Sequence, residues 1–376
     1  MERTIQKDQL STFKYSDISH MQPIPHGTGT YGVVYRLFLK SSPNESHYAV
    51  KKMDLTIGDR YFHEKELEIK REIEILRFLS SKIKKPRSLP RFHGFYTLKD
   101  PQLSQLSYFL VFDLKQGSLK DLIEQHILHN KRFSLDEVYS TLQLLLNTMT
   151  FLQLSSVTHR DLKPGNILFS NLSEVHQEIQ YKSLTLIDFG GSKHLLQIAA
   201  PMDHTCVLTK RYCSPELMGF SQIQKKDHAQ FNPFKSDVFS FGLIILELGT
   251  LKLPFSDKES LKPNEYFDEL DNENKKLIEF MKAYYGEFAK KSPENAKKLT
   301  DIIGMLKKAL DVKAEKRPDF VELFCELYKI EGKEARESEN ILRKMLEIDR
   351  KLNMAEVEKE DEGQQICIFF ENINMQ

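Results

Sequence analysis

Apolar residues along this chain follow strand spacing first and helix spacing later. From about Tyr15 to Lys52, β-branched and aromatic runs flank a glycine-rich turn, a pattern that predicts strands. A charged segment follows in which apolar residues recur at helical spacing, namely Leu67, Ile69, Ile73, Leu76 and Leu79. The run at 108–112 (Tyr-Phe-Leu-Val-Phe) then predicts a buried strand. This part of the chain is therefore expected to form a small, strand-rich unit with one helix.

The rest of the chain shows helical signals. Ser118 and Ser134 each stand three residues before an acid, which is the pattern of a capping box at a helix start. Behind Ser134, one apolar stripe consists of Val138, Leu142, Leu145, Met149 and Leu152. That helix is predicted to stop at Ser155 and Ser156. Further helices are predicted near Ser236, Lys275 and Leu299.

These signals predict an α+β fold in which a small β-rich lobe precedes a larger α-helical lobe. The expected divisions are a polar N-terminal tail over 1–14, the first lobe over 15–112, a hinge over 113–117, the second lobe over 118–330 and a charged helical tail over 331–376. The longest apolar run, 238–255, contains Glu247 and Lys252, so a buried helix is favoured over a membrane span.

Composition narrows the class of protein. Of the 376 residues, 40% are hydrophobic and 29% are charged, as in a globular protein, and the 54 basic residues equal the 54 acidic ones. This balance gives no reason to expect binding to nucleic acid or to a membrane surface. The cysteines at 206, 213, 325 and 367 lack the spacing of a disulfide framework or a zinc site. A reducing compartment, cytoplasmic or nuclear, is therefore expected.

The glycine-rich turn has the pattern G-x-G-x-x-G, formed by Gly27, Gly29 and Gly32. In a dinucleotide-binding fold a helix would begin at the third glycine, whereas the residues after Gly32 are β-branched and aromatic and favour a strand. The turn is therefore predicted to join two strands, with backbone N–H groups that can approach phosphate oxygens.

Lys51 ends a predicted strand in which Ala49 shares its face. That face can place a small residue against an adenine ring and an ammonium group against phosphates. The predicted helix that follows offers Glu72 as a carboxylate that can hold Lys51 in place. Glu68, one turn earlier, is the competing choice.

The stretch 159–168 (His-Arg-Asp-Leu-Lys-Pro-Gly-Asn-Ile-Leu) carries the strongest chemical signal. Phosphoryl transfer needs an aligned hydroxyl and neutralised phosphate charge. Asp161 can accept the hydroxyl proton, and Lys163 can stabilise charge on the transferred group. Asn166 supplies an amide oxygen suited to Mg²⁺. Asp188, at the end of a predicted buried strand and before Phe-Gly, supplies the carboxylate expected to be the principal Mg²⁺ ligand.

Together these motifs resemble those of the eukaryotic protein kinases. The matching motifs are G-x-G-x-x-G-x-V at 27–34, Ala-Val-Lys at 49–51, Arg-Glu-Ile at 71–73, the loop at 159–168 and Asp-Phe-Gly at 188–190. The resemblance covers roughly residues 15–330. It implies a two-lobed protein-kinase-like fold, ATP and Mg²⁺ as cofactors, and protein substrates.

The resemblance also assigns residues to the nucleotide. The adenine ring is expected between Val34, Ala49 and Leu168, beside Phe112 and the hinge residues Asp113 and Leu114. Asn166 and Asp188 are the expected metal ligands. His159 is expected to be a core residue without an acid-base role, packed in a column with Phe189, Leu76 and Phe92.

A serine/threonine enzyme is favoured by Lys163 and Thr209, because Thr209 resembles the threonine that contacts Asp161 and Lys163 in this family. Thr205 lies midway between Asp188 and Glu216. Arg160 and Lys193 occupy positions that pair with a phosphothreonine in related kinases. An upstream kinase that acts on Thr205 is therefore an expected partner.

Three further residues are expected to be structural. Glu216, in a Ser-Pro-Glu variant of the family's Ala-Pro-Glu motif, is expected to pair with Arg317. Asp237 is expected to brace the catalytic loop. Phe239 occupies a position where the family usually has tryptophan. Gly165 replaces a glutamate common in enzymes that prefer basic substrates, which weakens that preference here.

Two other classes of function compete with a protein kinase. A catalytically silent pseudokinase scaffold would lack Lys51, Asp161, Asn166 or Asp188, and the chain has all four. A small-molecule kinase is disfavoured by the Ser-Pro-Glu segment.

Surface insertions are predicted at 171–183 and 220–234. In the charged tail, apolar residues with 4-3-4 spacing are Ile341, Met345, Ile348 and Leu352. They are expected to pack back on the second lobe. A docking or dimer contact is the alternative.

Overall fold

The structure is a computed structural model. It describes residues 4–7, 17–29, 32–82, 85–175, 178–195, 210–220, 232–254, 263–330 and 338–353. Thr205 and Thr209 lie outside these ranges, as do most of the insertion predicted at 220–234 and the end of the tail.

The first lobe is built on a six-stranded antiparallel sheet with the strand order β1-β5-β6-β4-β3-β2. The strands are β1 (Thr4–Lys7), β2 (Ile18–Gly29), β3 (Gly32–Leu39), β4 (Tyr48–Thr56), β5 (Phe92–Asp100) and β6 (Gln105–Asp113). The helix α1 (Phe62–Ser80) crosses one face of the sheet. This arrangement confirms the strand-rich lobe with one helix.

The expected N-terminal tail is in part a strand. Thr4 pairs with Lys99 and Lys7 with Tyr96, so β1 extends the sheet beyond β5. The reason is local, because a short segment with a β-branched residue can satisfy its backbone groups on an open sheet edge.

The apolar stripe of α1 differs from the predicted one at two positions. Leu67 is 48% exposed, whereas Ile75 is buried with the rest of the stripe. Leu67 lies two residues before Ile69, which places the two side chains on nearly opposite sides of a helix. Glu72, in contrast, lies on the buried face and is only 3% exposed.

The second lobe is mainly helical. Its helices are α2 (Leu119–Leu128), α3 (Leu135–Leu154), α4 (Pro215–Phe220), α5 (Pro233–Thr250), α6 (Pro263–Ala289), α7 (Pro293–Ala309), α8 (Phe320–Leu327) and α9 (Ser338–Asn353). Ser118 and Ser134 both form capping boxes, and α3 ends just before Ser155, as predicted. The helix α5 is the centre of this lobe, since almost every residue after its first turn is buried. Among the described residues, no helix is long and apolar enough to cross a membrane.

Short strands of the second lobe position the loops of the cleft. They are β7 (Gly117–Ser118), β8 (Val157–Thr158), β9 (Ile167–Val175), β10 (Glu178–Leu186) and β11 (Lys193–His194). The polar segment predicted as an insertion at 171–183 is the outer part of the β9–β10 hairpin, in which Leu172 pairs with Tyr181. Two residues at the turn of the hairpin lie outside the described part.

The helix α9 packs back on the second lobe, as expected. Ile341, Met345 and Ile348 are buried at 1%, 0% and 8% exposure. The side chain of Asn147, in the middle of α3, donates a hydrogen bond to the carbonyl oxygen of Met345 at 3.1 Å. The side chain of Leu352 lies outside the described part.

Candidate active site

An ion-pair chain links the first lobe to the second. Lys51 lies in β4, one of the two central strands of the sheet. Its Nζ atom is 2.8 Å from Glu72 Oε1 and 3.0 Å from Glu72 Oε2. The same atom is 2.8 Å from Asp188 Oδ1. Asp188 is 137 residues away from Lys51 along the chain. The geometry selects Glu72 over Glu68 as the partner of Lys51.

The three groups of this ion-pair chain shift each other's pKa values. Burial alone would lower the pKa of Lys51, but the carboxylates of Glu72 and Asp188 outweigh it and the pKa is raised. Burial also dominates at Glu72 and raises its pKa, while Lys51 counteracts this only in part. At Asp188 burial is outweighed by Lys51, and the pKa is lowered. Lys51 is therefore held as a cation and Asp188 as an anion in the cleft.

The catalytic-loop residues form a second cluster. Lys163 Nζ is 2.6 Å from Asp161 Oδ2, and Asn166 Nδ2 donates to the same oxygen at 3.0 Å and to the carbonyl oxygen of Asp161 at 2.8 Å. Asp161, Lys163 and Asn166 thus share one hydrogen-bonded group, as the sequence predicts. The carboxylate of Asp161 is oriented from two sides.

The backbone has an uncommon conformation at one residue of this loop and at the expected metal ligand Asp188. Arg160 has φ 68° and Asp188 has φ 66°, both in the left-handed region. Asp237, which is 2% exposed, accepts the backbone N–H groups of His159 and Arg160, each at 2.8 Å. Asp237 therefore braces the catalytic loop, which confirms its predicted role.

A backbone hydrogen bond joins the two segments that carry the expected metal ligands. The N–H group of Ile187 donates to the carbonyl oxygen of Asn166 at 2.8 Å, so Asp188 follows directly on a residue bound to Asn166. Both N–H groups of the Asn166 side-chain amide donate hydrogen bonds to Asp161. Within the described residues, Asn166 Oδ1 and Asp188 Oδ2 make no hydrogen bond, so each keeps an acceptor for a ligand.

This donor set fits Mg²⁺. An amide oxygen and a carboxylate oxygen are hard ligands, and Mg²⁺ is commonly held by one or two protein oxygens together with substrate phosphates. No group of three or more His, Cys, Asp and Glu side chains in the described ranges can hold a metal by itself. Asn166 and Asp188 are therefore suited to a metal that arrives with a nucleotide.

The glycine-rich turn is a strand hairpin, as predicted. Thr28 pairs with Val33, and Gly29 pairs with Gly32. Gly32 has φ 151°, and a Cβ atom at this position would lie 2.2 Å from the carbonyl oxygen of Lys52. A side chain at 32 is therefore excluded. Gly27 lies in β2, and residues 30 and 31 lie outside the described part.

The residues expected around the adenine ring are placed by strand register. Val34 is paired with Lys51, and Ala49 is paired with Phe112, the last residue before the hinge. Beyond the hinge, Ser118 pairs with Leu168. The hinge itself is tied to the first lobe, since Leu114 N–H donates to the carbonyl oxygen of His47 at 2.8 Å.

One contact at the hinge was not predicted. His93 Nε2 lies 2.6 Å from Asp113 Oδ1, and His93 is 7% exposed. Burial opposes ionisation of Asp113, but His93 outweighs it and lowers the pKa of Asp113. The Asp113 side chain is thus directed to β5, away from the hinge backbone. No local sequence signal connects these two residues.

One contact of the expected packed column, between His159 and Phe189, is present. The rings of His159 and Phe189 meet edge to face at 5.2 Å, and His159 Nε2 donates to the carbonyl oxygen of Ile187 at 3.0 Å. Leu76 and Phe92 belong to the same buried core as Phe189. His159 is 0% exposed, in agreement with a core role.

The predicted contact between Glu216 and Arg317 is confirmed. Arg317 Nη1 and Nη2 donate to the two carboxylate oxygens at 2.8 and 2.6 Å. Phe239 lies under the guanidinium group, whose central carbon is 4.9 Å from the ring centre. A neighbouring contact was missed, in which Tyr212 OH donates to Glu247 Oε2 at 2.6 Å.

The two residues expected to bind a phosphothreonine lie on adjacent segments. Lys193 pairs with Thr158, two residues before Arg160. Their expected ligand, Thr205, and the expected contact residue Thr209 lie outside the described residues.

Comparison with known proteins agrees with this geometry. A family model of the protein kinase domain matches residues 24–329, so the chain belongs to the protein kinase family. It is 28% identical over 235 residues to serine/threonine-protein kinase TAO3 of Mus musculus, a match that covers 62% of this chain and 22% of that protein. It is 30% identical over 236 residues to probable cyclin-dependent kinase 8 of Dictyostelium discoideum, covering 62% of this chain and 55% of that protein. The chain thus spans about a fifth and about half of the lengths of these relatives.

A solved structure shows the same fold. The crystal structure of a kinase domain superposes with a TM-score of 0.55 at 20% identity, over 84% of this chain and 98% of that one. The two-lobed kinase fold is therefore established for this chain.

Proposed function

We propose that this chain is an active serine/threonine protein kinase that transfers the γ-phosphoryl group of ATP to hydroxyl groups of protein substrates. The observation that carries the proposal is the contact of Lys51 with both Glu72 and Asp188 at 2.8 Å. This contact supports the proposal because phosphoryl transfer needs a cation for the phosphates close to a carboxylate that binds the metal, and Lys51 and Asp188 are the proposed pair. Members of the family generally use ATP and Mg²⁺, and the oxygens of Asn166 and Asp188 fit the metal.

In this proposal each residue of the cleft has one task. The backbone of the Gly27–Gly32 hairpin covers the phosphates, and Lys51 binds them. The Asp161 carboxylate orients the substrate hydroxyl and accepts its proton as the oxygen attacks the γ-phosphorus and the bond to the β–γ bridging oxygen breaks. Lys163, 2.6 Å from Asp161, lies where it can stabilise the transferred group. Bound Mg²⁺ would neutralise phosphate charge.

The preference for serine and threonine rests on Lys163 and on the relatives. Lys163 is the catalytic-loop lysine on which the family resemblance to serine/threonine enzymes rests, and its contact with Asp161 gives it a role at the reacting hydroxyl. Of the matched relatives, TAO3 is named a serine/threonine-protein kinase.

The test is a peptide array with labelled ATP that offers serine, threonine and tyrosine acceptors. We expect Mg²⁺-dependent transfer to serine or threonine by the native chain. The Asp161→Asn variant keeps the size of the side chain and should lose transfer by about 100-fold or more. If neither the native chain nor Asp161→Asn transferred phosphate to any acceptor while both still bound ATP, the pseudokinase scaffold would be favoured instead. Transfer to tyrosine alone would contradict the acceptor assignment.

We also propose that an upstream kinase controls the enzyme through Thr205. Arg160 precedes the catalytic Asp161, and β11 with Lys193 lies beside the segment that leads to it. A phosphate on Thr205 bound by these two cations would couple the loop between Asp188 and Glu216 to the catalytic loop.

A further inference from the structure

The outer face of α6 carries a row of partly exposed aromatic side chains. Phe280, Tyr284 and Phe288 follow one another at intervals of one helical turn and are 39%, 36% and 42% exposed. The rings of Tyr284 and Phe288 lie 6.1 Å apart. Single exposed apolar residues are ordinary, whereas a contiguous row of three marks a surface that another segment can cover. We call these three residues the aromatic ridge.

Cations border the aromatic ridge along its length. The guanidinium carbon of Arg132 is 5.1 Å from the ring centre of Phe280 and 4.8 Å from that of Tyr284. Lys252 Nζ is 5.7 Å from the ring centre of Phe280, and Lys291 Nζ is 4.8 Å from that of Phe288.

These bordering cations are available for an anionic partner. Arg132 donates to the carbonyl oxygen of Thr250 at 3.1 Å, but within the described residues neither it nor Lys252 nor Lys291 makes an ion pair with a carboxylate. The nearest acids on α6 are engaged elsewhere, since Glu279 and Glu287 pair with Lys282 and Lys290. The ridge is therefore both aromatic and positively charged, and it suits a segment that combines carboxylates with apolar side chains.

The direction of α9 determines where the rest of the chain emerges. Met345 contacts Asn147, and Ile348 lines a groove with Gln143 and Lys297. Later residues of α9 thus lie beside earlier residues of α3, so the two helices run antiparallel. Asn353, the last residue of α9, is therefore directed to the end of the second lobe where α3 begins.

The aromatic ridge lies at that same end. Tyr285, next to Tyr284, donates its hydroxyl to the carbonyl oxygen of Phe133 at 2.6 Å, two residues before α3 begins. Arg132 directly precedes Phe133. A chain that leaves α9 at Asn353 can therefore reach the ridge, since an extended segment spans about 3.3 Å per residue.

The residues that follow α9 have the composition that the ridge requires. The stretch 356–362 contains five acids, namely Glu356, Glu358, Glu360, Asp361 and Glu362, and one base, Lys359. The stretch 366–370 contains the apolar residues Ile366, Ile368, Phe369 and Phe370. The carboxylates match the bordering cations, and the apolar residues match the aromatic rings.

We propose that residues 356–370 dock on the aromatic ridge of the same molecule, with the acidic part on Arg132, Lys252 and Lys291 and the apolar part on the rings of α6. The tail then occupies the ridge. An acidic and aromatic segment of another protein could bind there only by displacing the tail. The inference concerns a surface remote from the cleft and does not depend on phosphoryl transfer.

Zero-length carbodiimide crosslinking of the full chain, followed by mass spectrometry, tests the proposal because this reagent joins carboxylates only to amines in contact. We expect crosslinks between Lys252 or Lys291 and acids at 356–362, and we expect them to fade as salt screens the charges. A mixture of isotope-labelled and unlabelled chains identifies crosslinks within one molecule. Crosslinks between molecules, or crosslinks of these acids only to other lysines, would overturn the proposal.

Two variants make the test independent of folding defects. Changing Phe280, Tyr284 and Phe288 to serine alters only partly exposed residues and leaves both lysines in place. The double variant Phe369→Ser with Phe370→Ser leaves the ridge intact. Both should lose the crosslinks. A control with Ile57→Ser and Leu103→Ser, exposed at 37% and 66% in the first lobe, should keep them. Unchanged crosslinks in both test variants would also overturn the proposal.

Discussion

The guanidinium group of Arg317 is buried in the second lobe and donates two parallel hydrogen bonds to the carboxylate of Glu216. Arg317 also donates to the carbonyl oxygens of Asp311 and Lys235, at 2.6 and 2.8 Å. One side chain therefore joins α4, the start of α5 and the loop before α8.

Loss of either partner should strongly destabilise the second lobe. We expect Glu216→Ala to lower the free energy of unfolding by about 3–5 kcal/mol, because the buried charge of Arg317 would lose its counter-charge. Urea denaturation followed by circular dichroism measures this. The exposed pair of Lys308 and Glu326 is the matched control, and Glu326→Ala should cost about 1 kcal/mol or less. Similar losses in the two variants would contradict the burial argument.

The contact of Lys51 with Glu72 predicts a difference between two neighbouring acids. Glu72→Gln should lower kcat/KM for phosphoryl transfer about 10- to 100-fold, the range of a charge-assisted hydrogen bond worth about 1.5–3 kcal/mol. Glu68→Gln, on the same helix one turn earlier, should leave kcat/KM nearly unchanged. Steady-state kinetics with a peptide substrate measures both. A larger loss in Glu68→Gln would show that the lobes meet differently in the working enzyme.

Phosphorylation of Thr205 should raise activity. We expect phosphatase treatment to reduce the activity of the native chain, and we expect Thr205→Ala to be low in activity with or without treatment, because Arg160 and Lys193 would lack their anionic partner. Phosphate analysis by mass spectrometry, together with rate measurements, checks this. Full activity of Thr205→Ala under both conditions would remove Thr205 as a control site.

His126 should make stability depend on pH. Its side chain is 5% exposed, lies 3.9 Å from the ring centre of Phe133, and contacts the carbonyl oxygen of Leu122. Burial lowers the pKa of His126, so the unfolded chain binds the proton more readily than the folded one. The contribution of neutral His126 is therefore complete above the ordinary pKa of 6.5 and is lost as the pH falls through the lower folded value.

The measurement is the free energy of unfolding at pH 7.5 and pH 5.5 for the native chain and for His126→Gln. The native chain should lose more stability than the variant on acidification, by at most about 1.4 kcal/mol per pH unit for one proton. His129→Gln, at the exposed end of the same helix, should behave as the native chain does. Parallel curves for His126→Gln and the native chain would contradict the assignment.

The helix α9 should contribute to the stability of the second lobe. Met345→Ala removes a fully buried side chain and should cost about 2–5 kcal/mol if the site cannot collapse. Lys344→Ala, on the exposed side of the same turn, should cost little. Thermal and urea denaturation measure the difference. Equal stability of the two variants would mean that α9 is not packed on α3 in solution.

The residues proposed to carry the chemistry were recognisable in the sequence because phosphoryl transfer restricts their types. Asp161, Asn166 and Asp188 stand in patterns that few other tasks require, and the structure brings them together. Helix starts were predictable for a similar reason, since a capping box is encoded within four residues.

Contacts between distant segments could not be predicted in this way. His93 and Asp113 meet only because β5 and β6 are paired with a register shift, which no local pattern specifies. The choice of Glu72 over Glu68 depends on how α1 rotates against the sheet. The prediction for Leu67 was wrong for another reason, since a residue two positions before Ile69 lies on nearly the opposite side of a helix and is exposed here.

The left-handed backbone at Arg160 and Asp188 makes the geometry of the cleft depend on the lobe around it. A residue with a side chain adopts this conformation at a cost of about 1–2 kcal/mol, so an excised peptide would abandon it. Only the intact lobe and its core maintain both conformations, and at Arg160 they do so through the hydrogen bond from its N–H group to Asp237. Loosening of that core should therefore abolish nucleotide binding while the helices are still folded, and activity should disappear at a lower temperature than helical circular dichroism.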